Sequence, residues 1–338
     1  MGSYLRYVAE RLLIFVATVA VSVTVVFIAP RLVPGDPLGA LSAKLANVGA
    51  NLGSAGVVAE YNRRFGLDKP LTEQYVAYLR QLAQGDLGYS IASFPTTVGD
   101  LIRQALPWSL GLLIVTTLIS WIIGSVLGGI VGWTGGRSKP LQALVPIALV
   151  LYTIPYYILA IILVFLLAFL VPVFPISGAY SPGAHPELTP AFAVDVVRHA
   201  ALPALSIVLV SLGWWFLSMR SLIVSVKGED FITWAEAKGL PTRRVFWAYA
   251  FRNALLPQVT GLALSLGQIV GGALVMETIF GYPGLGYLIF SSIKTLDYPV
   301  IQGTILLVVI SVGIVNLVID LVYPLIDPRI RYGSVGRA

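Results

Sequence analysis

The chain has 338 residues, of which 57% are hydrophobic and only 11% are charged, and its formal net charge is +6. Soluble domains carry about 25% charged residues, so the composition excludes an ordinary soluble protein and indicates an integral membrane protein. The absence of cysteine excludes a disulfide framework, a cysteine nucleophile and thiolate metal sites. The two histidines, His185 and His199, form no HExxH pattern, so we expect structural roles for them and no metal site.

Six uncharged stretches are each long enough to cross the ~30 Å hydrocarbon core of a bilayer as a helix. In chain order they are Leu12–Pro30, Leu106–Gly136, Pro140–Val171, Ala200–Met219, Asn253–Met276 and Tyr298–Ile319. The first is longer than the apolar core of a signal peptide and is followed by no small-residue cleavage site, so we expect it to be a true span. The predicted fold class is an all-α polytopic membrane protein with six transmembrane helices.

The first predicted external loop, Arg31–Arg103, is the one sizeable region outside the spans. A turn at Pro34–Pro37 and a stretch rich in Ala, Gly and Asn, Gly39–Gly56, precede a segment with helical spacing, Thr72–Gln84. A few tens of residues cannot form an independent core. We therefore expect this loop to pack as a cap on the ends of the spans.

Lysine and arginine are concentrated in alternate connections between the spans. They are enriched at the N-terminus, between the second and third spans, in Met219–Pro257 and in the C-terminal tail, whereas the other loops are nearly balanced in charge. Basic residues mark cytoplasmic loops, so both termini and Met219–Pro257 are predicted to be cytoplasmic. Because this bias explains the net charge of +6, no nucleic-acid partner is predicted.

The polar segment Met219–Pro257 carries the strongest functional signal. Its centre, Gly228–Leu240, is compatible with a helix about 20 Å long, which is too short and too polar to cross a bilayer. Ala237 and Gly239 would let the backbone of another protein approach closely, while Glu236 and Lys238 would fix its register. The alternative is a solvated loop helix with no partner.

Several expected signatures of catalysis and of coupled transport are missing from the sequence. There is no G-x-x-x-x-G-K-[ST] phosphate loop, no catalytic constellation and no acid or base at the predicted mid-membrane depth. The chain is therefore predicted to have no catalytic site and to receive its energy from a separate protein. A stand-alone secondary carrier, which would need a titratable group at the midplane, and a membrane enzyme are the alternatives.

Many segments together resemble one family, the permease subunits of ABC importers of the dipeptide/oligopeptide/nickel class, and in particular the first of the two paired permeases. The resemblance covers nearly the whole chain. The matching segments are Leu32–Pro37, Phe65–Leu71, Gly85–Ser90, Ala235–Leu240, Arg252–Pro257, Glu277–Phe280, Pro283–Gly286, Asp297–Val300, Gln302-Gly303 and Asp327–Arg331.

The resemblance implies a type I ABC importer permease fold in the cytoplasmic (inner) membrane of a bacterium or archaeon. It also implies a second homologous permease, two ATP-binding subunits that hold ATP and Mg, and an external substrate-binding protein, with no cofactor in this chain. The implied regions are a cytoplasmic N-terminus with the first span (1–30), the external loop (31–103), the core permease domain (104–325), the "EAA" coupling loop (228–257) and a cytoplasmic tail (326–338).

Three sets of site residues follow from the residues and the resemblance. The residues expected to couple to the ATPases are Asp230, Ala235, Glu236, Ala237, Lys238, Gly239 and Leu240. Those expected on the translocation path are Tyr156, Tyr157, Gln268 and Asn316, with an interfacial aromatic belt and helix–helix hydrogen bonds as alternatives. Those expected to dock the binding protein are Tyr282, Pro283 and Gly284.

The sequence departs from the family pattern at a few positions, and it leaves the substrate open. Glu236 stands where a basic residue is usual and Tyr249-Ala250-Phe251 replaces His-Ala-Leu, and from these two departures we expect altered partner pairing without loss of coupling. The segment Gly39–Gly56 also looks expanded. Peptides are the predicted cargo, and oligosaccharides or nickel are the alternatives.

Overall fold

The computed structural model describes residues 2–35, 62–63, 65–135, 138–187, 189–269 and 273–326, and the side chains of residues 2–5, 268 and 322–326 lie outside this description. Within these residues the chain consists of helices joined by turns and irregular segments, with one isolated bridge between Tyr89 and Thr97. The prediction of an all-α protein is therefore confirmed for the described part of the chain.

The helices are α1 (Gly2–Ile28), α2 (Leu71–Ala83), α3 (Val98–Thr134), α4 (Lys139–Gln142), α5 (Leu144–Thr153), α6 (Tyr156–Val164), α7 (Pro190–Val226), α8 (Asp230–Ala237), α9 (Thr242–Arg244), α10 (Arg252–Gln268), α11 (Leu274–Ile279), α12 (Leu285–Lys294) and α13 (Tyr298–Ile326). A 3₁₀ turn at Ala29–Leu32 follows α1, and π-helical turns at Phe165–Leu170 and Val245–Phe251 follow α6 and precede α10. The chain divides into two compact units, Met1–Pro107 with Gly284–Ala338, and Trp108–Pro283.

Four helices of the described chain are long and apolar enough to cross a membrane, namely Arg6–Leu32, Val98–Thr134, Pro190–Val226 and Tyr298–Leu321. They coincide with the first, second, fourth and sixth predicted spans.

The other two predicted spans are interrupted. Lys139–Thr153 and Tyr156–Leu170 meet at an angle of 97° and count together as one further span at most. The bend falls at Pro155, which lacks an N–H donor and forces Ile154 out of the helical region, to a ψ of 125°. In the predicted fifth span, α10 ends at Gln268 and α11 begins at Leu274.

The first unit is held together by contacts of α1 with α13 and with α2. Arg11 forms an ion pair with Asp320 at 3.2 Å, which joins α1 to α13. The ring of Phe27 meets the rings of Tyr75 and Tyr78 of α2, with centroid distances of 5.0 Å and 5.6 Å. The helix predicted at Thr72–Gln84 is thus confirmed, and its aromatic face packs on the end of α1.

A buried carboxylate fixes the loop before α3. Asp297 is 2% exposed and accepts hydrogen bonds from Ser90 Oγ and from the backbone N–H groups of Ile91 (3.1 Å) and Ala92 (3.0 Å). A buried charge is stable when it is hydrogen-bonded in this way. Two segments that are far apart in the sequence, Gly85–Ser90 and Asp297–Val300, are therefore hydrogen-bonded to each other in the fold.

In the second unit, α3 and α7 approach each other through three glycines of α3. A Cβ on Gly124 would lie 3.0 Å from the carbonyl oxygen of Leu212, and one on Gly132 would lie 2.8 Å from that of Arg220. A Cβ on Gly128 would overlap the carbonyl group of Phe216. Small residues spaced by four let helix backbones meet this closely in a membrane.

This contact predicts an asymmetric response to alanine along α3. Gly128→Ala should lower the free energy of unfolding by about 1–3 kcal/mol, because α3 and α7 must move apart to admit the methyl group. The matched control is Gly111→Ala on the same helix, where a Cβ meets nothing within 4 Å. Thermal unfolding of both variants in detergent gives the measurement, and equal midpoints for the two would contradict the close contact.

Candidate functional site

The helix α8 is anchored on one face and exposed on the other. Ile232 and Ala235 are 2% and 3% exposed, whereas Phe231 and Trp234 are 38% and 68% exposed. The inward face belongs to a hydrophobic group that we call the anchor cluster, which consists of Met219, Ile223, Ile232, Ala235, Val245, Phe246, Ala250 and Ala254. A short polar helix is thus held by the C-terminal part of α7 and by the π-helical turn before α10.

The end of α8 is a Schellman motif. Gly239 has a φ of +73°, its N–H donates to the carbonyl of Glu236 (2.9 Å), and the N–H of Leu240 donates to the carbonyl of Ala235 (3.4 Å). Glycine is favoured at this position because the left-handed conformation places no Cβ in conflict with the backbone. Leu240 then packs against the anchor cluster, as the hydrophobic residue after such a motif commonly does.

The predicted coupling residues therefore divide into two groups. Asp230, Glu236, Ala237, Lys238 and Gly239 are exposed and remain available to a partner. Ala235 is buried and Leu240 partly buried within the chain, so these two hold α8 in place. Contact of any of them with an ATPase stays a prediction.

Sequence reasoning missed Phe231 and Trp234. The signal was present as two aromatic residues three positions apart, which are neighbours on a helix surface and lie about 100° around the axis from Ile232 and Ala235. Large apolar side chains that remain exposed together mark candidate interaction surfaces. We call these two residues the aromatic pair of α8.

A groove lies further along α7, within the same unit. It has a volume of about 260 Å³ and is lined by Leu113, Tyr156, Ile207, Val210, Ser211, Ser265, Ile269 and Ala273. None of these lining residues is charged. Since Ser211 and Ile223 of α7 are twelve residues apart, the groove and the anchor cluster lie on one continuous helix about 18 Å apart along its axis.

The structure separates the residues predicted for the translocation path. Tyr156 lines the groove, and Tyr157 meets it edge to face with ring centroids 6.1 Å apart but is not among the lining residues. The side chain of Gln268 lies outside the described part of the chain. Asn316 is exposed on α13, in the other unit. Their roles in transport stay predictions.

A buried polar corner lies at the end of the second unit. Glu277 is fully buried and accepts a hydrogen bond from Ser109 Oγ (2.6 Å). Tyr282 is 3% exposed and its ring packs edge to face on Trp108, with centroids 5.9 Å apart. Burial, together with the carboxylate of Glu277, raises the pKa of Tyr282 to about 12, so this phenol stays neutral.

The predicted docking turn is thus less exposed than its composition suggests. Tyr282 and Gly284 are buried and Pro283 is half-buried, whereas the nearby Tyr287 is 39% exposed. Docking of a binding protein at this turn stays a prediction, and Tyr287 is the more accessible residue for contact with a partner.

The chain is similar in sequence to known membrane transport proteins. A family model described as "Binding-protein-dependent transport system inner membrane component" matches residues 124–332. The chain belongs to this family. The match includes α8, the anchor cluster and most of the groove lining, and it confirms the predicted class of membrane transport subunit.

Individual relatives align over almost their full length. A putative peptide permease protein of Brucella ovis is 34% identical over 331 residues, which cover 97% of this chain and 99% of the relative. The di/tripeptide transport system permease protein DppB of Pseudomonas aeruginosa is 32% identical over 341 residues, with the same coverage. The glutathione transport system permease protein GsiC of Shigella flexneri is 30% identical over 330 residues, again covering 97% and 99%.

The Schellman motif at the end of α8 predicts that backbone conformation, more than side-chain size, limits which residues can replace Gly239. A Cβ there would meet nothing within 4 Å, but the φ of +73° strains a β-branched residue far more than asparagine. Gly239→Val should therefore lower the free energy of unfolding by about 1–2 kcal/mol, with Gly239→Asn much closer to the wild type. Thermal unfolding of the two variants is the measurement. If Asn is as harmful as Val, a steric contact rather than backbone conformation governs this position.

Proposed function

We propose that this chain is the permease subunit of an ATP-driven, binding-protein-dependent importer of peptides, and that it forms half of a heterodimeric translocation path. The family match and relatives named as peptide, di/tripeptide and glutathione permeases support this proposal. The structural observation that carries it is the continuity of α7, which joins the anchor cluster of α8 to the groove.

The mechanism that this geometry supports is mechanical coupling. When an ATPase subunit that contacts the aromatic pair of α8 moves, α8 moves with it, and the other face of α8 is packed into the anchor cluster. Because protein interiors are close-packed and transmit displacement, motion of α8 is passed to Met219 and Ile223 and so to the whole of α7. The wall of the groove formed by Ile207, Val210 and Ser211 then moves with it, as alternating access requires.

The residues that line the groove suit peptides as cargo and would distinguish little between different peptide sequences. Hydroxyl groups of Tyr156, Ser211 and Ser265 stand on an apolar wall and can exchange hydrogen bonds with successive peptide groups. Among the described residues of the lining there is no imidazole, carboxylate or thiol, which disfavours direct contact with nickel, a metal that prefers such ligands. Selection among peptides then falls to the external binding protein.

The complete transporter in this proposal contains a second homologous permease, two ATPase subunits that bind ATP and Mg, and the external binding protein. The permease itself has no phosphate loop and performs no catalysis. It has six spans, of which α5 with α6 forms the bent one and α10 with α11 the interrupted one. The chain lies in the cytoplasmic (inner) membrane of a bacterium or archaeon, with both termini in the cytoplasm and residues 31–103 on the external side.

Reconstitution tests the proposal directly. In proteoliposomes that hold both permeases and the ATPases, uptake of a labelled dipeptide should require the binding protein and ATP on the side of α8. Trp234→Ala should lower both the retention of the ATPase subunits and the uptake by about tenfold or more, because a buried interface tryptophan typically contributes at least 2 kcal/mol.

The control for Trp234→Ala is Trp214→Ala, which removes a side chain of similar exposure (52%) from α7. This variant should retain the ATPase subunits fully, and both variants should keep the wild-type unfolding temperature. Peptide uptake by the isolated chain without ATPases would contradict the proposal and favour a secondary carrier. Retention of the ATPases by Trp234→Ala would place their contact elsewhere.

Cysteine labelling tests the external face. The chain contains no cysteine, so single substitutions give an unambiguous signal. In intact cells a membrane-impermeant maleimide should react with Tyr287→Cys, which should also cross-link to the binding protein, and react at least tenfold more slowly with Tyr282→Cys because that position is buried. Labelling of Tyr287→Cys only from the cytoplasmic side would reverse the proposed topology.

A further inference from the structure

The first unit contains a cavity where α1 ends and α2 packs upon it. Its volume is about 380 Å³, within the range of small-molecule sites. Aromatic side chains and side chains with hydrogen-bond donors make up much of its lining, together with a few aliphatic residues. Its aromatic lining residues are Phe27, Phe65, Tyr78, Tyr89, Phe94 and Tyr298.

Arg31 is a cation of this cavity whose side chain is held in place by the protein. Its Nη1 donates to the carbonyl oxygen of Phe27 (2.6 Å) and its Nη2 to Oε1 of Gln74 (3.0 Å). The guanidinium lies 3.6 Å from the ring centroid of Phe27 and 5.3 Å from that of Tyr298. Among the described residues no carboxylate forms an ion pair with it. An oriented, partly buried guanidinium therefore has donors left for an anionic ligand.

Two further lining residues carry buried polar atoms without a hydrogen bond in the described part of the chain. These atoms are Tyr78 Oη and Gln302 Nε2. Burial raises the pKa of Tyr78, so its hydroxyl remains a donor. Buried polar groups in folded proteins normally have a partner, so this pair points to a ligand that accepts hydrogen bonds.

The charge of the lining agrees with an anionic ligand. The charged side chains among the described lining residues are three cations, Arg31, Arg63 and Lys69, and one acid, Asp86. Asp86 already accepts a hydrogen bond from the backbone N–H of Gly88 at 2.8 Å. The excess of positive charge favours a negatively charged group, and the aromatic walls favour an apolar body attached to it.

We propose that this cavity is a binding site for a small organic carboxylate with an apolar or aromatic body. The carboxylate pairs with Arg31 and accepts hydrogen bonds from Tyr78 and Gln302, while the body packs among Phe65, Tyr89 and Phe94. A planar guanidinium matches a carboxylate in geometry as well as in charge. This site shares no residue with the groove and does not depend on the proposed transport function.

The test uses the full-length chain in nanodiscs of phosphatidylcholine, with N-acetylphenylalanine as the probe. N-acetylphenylalaninamide, which has the same body without the carboxylate, is the matched control ligand. Saturation-transfer NMR should show saturable binding of the acid, and the unfolding temperature should rise with its concentration. The amide should bind at least tenfold more weakly.

Variants of the chain locate the binding. Arg31→Gln should weaken binding of the acid at least tenfold, and Tyr78→Phe several-fold. The same change at an exposed cation of this unit outside the cavity, Arg103→Gln (84% exposed side chain), should leave it unchanged. Arg31 also donates a hydrogen bond to Gln74 of α2, so Arg31→Gln could fail to fold. In that case the test rests on Tyr78→Phe and Lys69→Gln, each of which should weaken binding of the acid.

Equal binding of acid and amide, or acid binding that none of these variants alters, would overturn the proposal. Inorganic phosphate and nanodiscs that contain phosphatidylglycerol serve as competitors. If phosphate or phosphatidylglycerol displaces half of the bound acid at a concentration below the dissociation constant of the acid, the site prefers phosphate to a carboxylate. The proposal is then wrong.

Discussion

The contact between α3 and α7 is the constraint on which the second unit depends. Lipid tails are as apolar as leucine side chains, so helices in a bilayer gain little from hydrophobic burial and associate through close packing. Gly124, Gly128 and Gly132 meet this need because the backbone of α7 lies where their side chains would be. The position of α7 in turn determines where the anchor cluster and the groove lie.

Much of this fold follows from the sequence, because the bilayer demands long apolar helices and the amino-acid composition reveals them. Four spans were predicted correctly, since the apolar content of each one is a local property of the sequence. The segments 140–171 and 253–276, predicted as spans, are a bent pair of helices and a helix that ends at Gln268, so a total of six spans stays a prediction. A hydropathy average measures apolar content, but the angle at Pro155 and the interruption after Gln268 depend on which neighbouring groups satisfy the backbone.

Prediction of the candidate site from the sequence is limited in a similar way. The small residues of Ala235–Leu240 were interpreted as a contact surface, and the structure adds a local cause, a helix end that needs a left-handed glycine and an inward leucine. Tyr282-Pro283-Gly284 has the composition of an exposed turn, yet Trp108, far away in sequence, covers Tyr282. Contacts between residues so distant in the chain leave no local pattern, which is why burial at this turn escaped sequence reasoning.

The two faces of α8 also bear on how such a subunit can change its associates during evolution. The residues that hold the helix to its own chain, Ile232, Ala235 and Leu240, differ from those that it presents outward. Substitutions at Phe231, Trp234 or Glu236 can therefore accumulate with little effect on folding, as surface substitutions generally do. Duplicated transporters could drift apart in this way until their subunits no longer mix, while each copy kept the same membrane scaffold. Glu236 belongs to this outward set, so its charge can change without disturbing the anchor cluster.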